Sequence, residues 1–130
     1  VVAQAHGAVA AAVRAAADQM GDQLGVRSVG RTTVDAGVPG ASVEPLLAGC
    51  RAFVATALDE RYRRVLLVDG PAVLGWARWR AMDEGGAGAL LRTGLTELAA
   101  SGSLPRLSVE ALTRLLSGAM NEAALWIAEA

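Results

Sequence analysis

The sequence predicts an all-α fold, a bundle of about six helices built as one domain over residues 1–130. Three observations predict it. The chain is rich in alanine and poor in aromatics (4%), a composition that favours helix over strand. Apolar residues recur at spacings of three and four in several segments. One stretch alone, "RVLLVD" (64–69), looks like a buried strand, and no second run of Val, Ile, Thr and aromatics exists to pair with it. At 130 residues, 53% of them apolar, the chain is long enough to bury a core.

The first helix is expected over Val1 to Met20, where Val2, Val9 and Val13 among alanines give a thin apolar face and Gly21 supplies a stop. Gly21 to Ala41, with five glycines and Pro39, reads as a loop of about 20 residues, long for a compact domain. Ser42 is placed to cap the next helix, with Pro45 in its tolerant first turn. Val43, Leu46, Leu47, Cys50, Phe53, Val54, Ala57 and Leu58 then form the cleanest amphipathic pattern in the chain. Asp59 is expected to cap Glu60 to Val68. Gly70-Pro71 is expected to break that helix and start another, capped by Asp69 and running to about Asp83. Gly85, Gly86 and Gly88 interrupt, with Asp83 and Glu84 read as a solvated hinge. The next helix places Ala87, Leu90, Leu91, Gly94, Leu95 and Leu98 on one face and ends at Ser101-Gly102.

Ser108 caps the last helix, Val109 to Glu129, with Glu110 in the first turn where the helix dipole favours a negative charge. At roughly 1.5 Å per residue it spans about 30 Å. It has two faces. Leu112, Leu115, Leu116, Ala119, Met120, Ala123, Trp126 and Ile127 form a broad apolar stripe. Ser117, Gly118, Asn121, Ala124, Leu125 and Ala128 form a face of small residues, which invites close approach by a second helix and suggests a subunit interface.

Charge and composition exclude several function classes. The net charge is −1, too little positive charge for a phosphate-gripping surface. All 12 basic residues are arginine, so the Lys-containing phosphate loop that would complement a strand ending in "LLVD" is impossible. With one histidine, His6, and one cysteine, Cys50, neither a disulfide nor a zinc site of the usual four ligands is expected, and no metal or cofactor is assigned. His6 reads as a partly exposed structural or pocket residue, and Cys50 as a buried inert thiol. No apolar run reaches the roughly 20 residues of a membrane span and no signal peptide is visible, so the expectation is a soluble cytoplasmic protein. "DEGGAG" (83–88) has too few oxygen ligands for a calcium loop. No catalytic set can be assembled.

Trp76 and Trp79, three apart, share a helix face, as core or as the wall of an apolar pocket. Phe53, Tyr62, Leu66, Met82, Leu90, Met120 and Asn121 are the residues expected to join them in such a pocket, with Tyr62 or Asn121 as its polar element.

"RRVLLVDGPAVLGWARWRAMDE", followed by "GALLRTGLTELAASGSL" and "VEALTRLLSGAMNEAALWIAEA", resembles the C-terminal part of a TetR-type transcriptional regulator, over about Val43 to Ala130. The resemblance implies a regulatory domain that binds a small hydrophobic or aromatic effector between its central helices. It implies a homodimer formed mainly by the last two helices, here through Leu91, Leu95 and Leu98 with Ser117, Gly118, Asn121, Ala124, Leu125 and Ala128. Val1 to Met20 would then be the helix that links two domains, and a DNA-reading helix-turn-helix would precede Val1, so that this chain reaches operator DNA only through it. Gly21 to Ala41 departs from the pattern. Two rivals stand beside this reading: a small helical enzyme using Asp69 or the Asp83/Glu84 pair, and a dimeric interaction module with no ligand.

Overall fold

Regular structure in this protein is all helix among the described residues. The computed structural model describes residues 1–23 and 42–130, so most of the expected Gly21–Ala41 loop lies outside the described residues. The elements are α1 (Val2–Gln23), α2 (Glu44–Ala57), α3 (Glu60–Arg63), a π-helical segment (Arg64–Asp69), α4 (Gly70–Leu74), α5 (Trp76–Gly85), α6 (Ala87–Ala100) and α7 (Val109–Glu129). Because α3, the π segment and α4 follow one another without a gap, the described bundle has six helical rods. None of the described helices is long and apolar enough to cross a membrane.

The helix α1 does not stop at Gly21 but continues to Gln23. A glycine inside a helix costs only about 1 kcal/mol, which neighbouring turns can offset. The line Ala5, Val9, Val13, spaced by four, is buried and packs chiefly on α2. The buried line of α2 is Gly49, Phe53 and Ala57. Val43 and Leu47, which the apolar pattern assigned to that face, are exposed, and Cys50 is half-buried, with burial pushing its thiol up. Leu66 and Leu67 of the π segment, Ala87 of α6 and Ala124 of α7 complete the central cluster. Many of these side chains are Ala or Val, so the helices approach closely.

Three caps were legible. Ser108 Oγ accepts from the Ala111 N–H at 3.2 Å at the start of α7. Asp59 caps α3 by accepting from the Arg61 N–H at 2.9 Å. The Arg61 guanidinium pairs with the same carboxylate, and the two contacts hold it down to about 2. Ser42 accepts from the Glu44 N–H at 3.2 Å, one position ahead of the observed N-cap residue Val43.

Gly70-Pro71 does not break the helix. Both Asp69 and Gly70 are right-handed helical, and Asp69 makes no capping bond; it pairs instead with Arg64 at 3.1 Å. The backbone has widened into a π turn, in which the Gly70 N–H reaches the Val65 carbonyl five residues back. Continuing that pattern, residue 71 would donate to the Leu66 carbonyl, but Pro71 has no N–H. The Trp79 indole Nε1–H takes its place and donates to the Leu66 oxygen at 2.8 Å. Gly70 is required by the same contact: a Cβ there would lie 2.6 Å from the Val65 oxygen and 3.1 Å from Trp79 Cδ1. The chain turns instead at Gly75, whose φ of 81° and ψ of 152° suit glycine almost alone.

Candidate functional site

The two tryptophans separate in role. They stack with centroids 5.2 Å apart, but Trp79 is 2% exposed and Trp76 is 61% exposed. Trp79 is the core residue that closes the π turn. Trp76 covers it from outside, with the Arg80 guanidinium 5.7 Å above its ring. Of the residues expected to line a pocket, Phe53 and Leu66 lie in the central cluster, and Tyr62, Leu90 and Met120 pack against it. Met82 is half-buried and Asn121 is buried. The structure therefore gathers Phe53, Tyr62, Leu66, Leu90 and Met120, seats Trp79 against the Leu66 backbone, and leaves Trp76 largely outside. The gathered side chains are packed on one another.

A polar seam runs through the interior beside them. Asp83 lies one turn after Trp79 on α5 and is buried, so Asp83 is not part of a solvated hinge. Its Oδ2 accepts from Ser117 Oγ of α7 at 2.9 Å. One turn further along α7, the Asn121 amide donates to the Ser117 carbonyl at 3.1 Å, and one turn earlier Thr113 donates to the Val109 carbonyl at 2.7 Å. From the other side comes His6 of α1, 6% exposed rather than partly open, set edge-on to Trp79 at 5.7 Å. Two atoms of this seam are buried with no hydrogen-bond partner among the described residues: His6 Nε2 and Asn121 Oδ1. Burying a polar atom unpaired costs on the order of 1–3 kcal/mol, so such atoms call for an explanation.

At the Ser117 end the seam borders a small cleft lined by Arg80, Glu84, Gly88, Arg92, Thr113, Arg114 and Ser117. Its space is about 10 Å³, room for no more than one water. Glu84 pairs with Arg80 at 3.3 Å and Arg114 at 3.0 Å; Glu110 pairs with Arg114 at 2.8 Å and Arg92 at 3.0 Å. This network ties α5, α6 and α7 together at the surface, where each pair contributes roughly 0–1 kcal/mol.

Burial pushes the His6 pKa below its ordinary 6.5, and the Asp83 charge opposes that shift without cancelling it. The folded protein thus binds the His6 proton less readily than the unfolded chain. The His6 contribution to stability is complete above about pH 6.5 and is lost as the pH falls through the lower, folded value. Urea midpoints are expected to drop on acidification from pH 7 toward 5, and a His6→Gln variant is expected to flatten that dependence. A variant as pH-sensitive as the parent would place the titration elsewhere.

The last helix is turned the opposite way from the sequence expectation. Thr113, Ser117, Asn121 and Ala124 face inward, Ala124 at 0% exposure. Gly118, Leu125 and Ala128 are half-buried, and Leu91, Leu95 and Leu98 of α6 are buried. Of the residues assigned to a subunit interface, Leu91, Leu95, Leu98, Ser117, Asn121 and Ala124 are packed inside the protomer, and Gly118, Leu125 and Ala128 lie at its edge. Their smallness is what lets α7 lie close against α6 and α2. The apolar stripe is the outer face: Leu115 is 71% and Trp126 73% exposed, Ile127 is also exposed, and Leu112, Leu116, Met120 and Ala123 are half-buried.

Sequence reasoning missed the seam. Its signal was present: Asp83 is four residues after Trp79, and Thr113, Ser117 and Asn121 are spaced by four on α7. Residues 43–130 match the model of the Tetracyclin repressor-like, C-terminal domain. The match covers more than half of the chain, and the protein belongs to this family of transcription regulators, whose C-terminal domains generally dimerise and bind small-molecule effectors. Neither curated proteins nor solved structures yield a match to the chain.

Proposed function

We infer that this domain is the effector-binding and homodimerisation part of a TetR-type repressor, acting in the cytoplasm, in which operator DNA is contacted by a helix-turn-helix preceding Val1. The observation that carries the reading is the outer face of α7. A helix with Leu115 and Trp126 both more than 70% exposed presents an apolar stripe that a second copy would cover. The proposed interface is thus the stripe Leu112, Leu115, Leu116, Ala119, Ala123, Trp126 and Ile127, in place of the small-residue face. An effector seated among Phe53, Tyr62, Leu66, Trp79 and Met120 would have to part side chains that pack on one another here, with the polar seam as its orienting element. It shifts DNA affinity only by binding more tightly to one of two dispositions of the dimer. Arg61 to Val68, which contains most of the π segment and touches α1, is the stretch proposed to carry the shift.

The carboxylates of the enzyme alternative have structural partners here: Asp69 with Arg64, Asp83 with Ser117, and Glu84 with Arg80 and Arg114. A thermal-shift screen of small hydrophobic and aromatic compounds tests the effector reading. A ligand at a hundred times its Kd contributes about 2.7 kcal/mol and raises Tm by several degrees. A screen in which nothing shifts Tm supports the ligand-free interaction module instead.

A further inference from the structure

Two donors can serve the Leu66 carbonyl, and which of them does so sets the register of the helix. In the structure the Gly70 N–H donates to Val65, five residues back, and the Trp79 indole donates to Leu66 at 2.8 Å. In an α register the Gly70 N–H moves one residue along, to Leu66, four residues back. Neither arrangement is free of defects. The π turn tolerates no Cβ at position 70, where one would lie 2.6 Å from the Val65 oxygen and 3.1 Å from Trp79 Cδ1. The backbone of Gly70 is ordinary right-handed helix (φ −59°, ψ −55°), so the position uses the missing Cβ and not glycine's conformational freedom. The α register has room for alanine, the best of helix formers, at such a position. Its own defects are a Leu67 carbonyl with no donor from Pro71, and a buried Trp79 indole released from its acceptor.

We propose that residues 64–74 are a two-register switch with Trp79 as its latch: π while the indole holds the Leu66 carbonyl, α once it lets go. Two helix packings with comparable defects make a bistable element. The surroundings show which part moves. Upstream, Leu66 and Leu67 are fixed in the central cluster. Downstream, α4 is loosely held: Ala72 and Val73 are exposed, Pro71 and Leu74 are half-buried, and only Gly70 is buried. The rod ends at Gly75, which has a positive φ and open space where a Cβ would be. In the change of register, the residue that the wide turn holds in excess passes to that end. One residue of helix corresponds to a turn of about 100° and a rise of about 1.5 Å, and Gly75 takes up the slack. The latch lies in the core and the moving turn lies on the surface, so the switch carries an event at Trp79 outward.

The use of the switch in regulation rests on the effector-binding reading above, in which a ligand beside Trp79 draws the indole off; the two registers are tested without any ligand. NMR on the whole, isotopically labelled chain reads the register through hydrogen-bond couplings between a donor nitrogen and the acceptor's carbonyl carbon. The parent is expected to couple the Gly70 nitrogen to Val65 and Trp79 Nε1 to Leu66. In Gly70→Ala the added Cβ excludes the π turn. The residue 70 nitrogen is expected to couple to Leu66 instead, and the indole proton to exchange with solvent at least tenfold faster. Trp79→Phe removes the latch and keeps the glycine. The same move of the residue 70 coupling to Leu66 is expected there, which gives a second variant if Gly70→Ala does not fold. A residue that only filled space would change stability and leave the acceptor where it was. If neither variant folds with residue 70 on Leu66, whether it keeps Val65 as acceptor or loses its helical dichroism, the switch is overturned and the effector reading stands. A ligand screen in which nothing binds overturns the effector reading and leaves the two registers in place.

Discussion

Replacing Trp79 by alanine is expected to lower the unfolding free energy by about 3–5 kcal/mol, the usual cost of emptying a buried aromatic site. That is a large share of the roughly 5–15 kcal/mol that holds a typical domain together. Two losses combine. The ring fills the space between His6 of α1 and the π segment, and its indole N–H closes the backbone gap that Pro71 creates at the Leu66 carbonyl. Trp79→Phe separates them. It keeps most of the ring and removes the donor, so the Leu66 oxygen is left buried and bare, at about 1–3 kcal/mol. Trp76→Ala, at a site 61% exposed, is expected to cost clearly less than either. Urea denaturation of the three variants gives the order. Equal stability of the parent and Trp79→Phe would mean that the indole hydrogen bond does not hold the π turn.

The second large effect concerns α7. The double variant Leu115→Glu, Trp126→Glu is expected to dissociate a dimer into helical protomers. Each side chain is more than 70% exposed in the protomer, so the substitutions disturb little within it. Central interface anchors contribute roughly 2 kcal/mol each, and because both copies carry both substitutions, four are lost and the dissociation constant rises by more than about a thousandfold. Ala124→Arg behaves differently. Ala124 is 0% exposed in the core between α7 and its neighbours, and an arginine there is expected to unfold the domain. Circular dichroism beside the solution mass distinguishes the two outcomes. A double variant that remains dimeric would move the interface to another face.

The helices and several caps were legible in the sequence because they rest on local chemistry. Ser108 and Asp59 sit within three residues of the N–H groups they satisfy, and the Leu91, Leu95, Leu98 line of α6 follows from helical spacing alone. What was not legible depended on distant partners. Pro71 reads as a helix break until Trp79, 13 residues from Leu66, supplies the missing donor. Asp83 reads as solvated until Ser117, 34 residues away, reaches it. The orientation of α7 was ambiguous for a different reason. Periodicity shows that a helix has an apolar stripe but not whether its own bundle or another molecule covers it. In α7 the stripe faces outward, while Ser117, Asn121 and Ala124 make the closer internal contact.

Whether the outer stripe of α7 joins two copies is read from sedimentation equilibrium of the unaltered chain at high micromolar concentration. The expected mass is twice the 13.3 kDa of one chain, falling to 13.3 kDa in the Leu115→Glu, Trp126→Glu variant. A mass of 13.3 kDa for the unaltered chain under those conditions would contradict it.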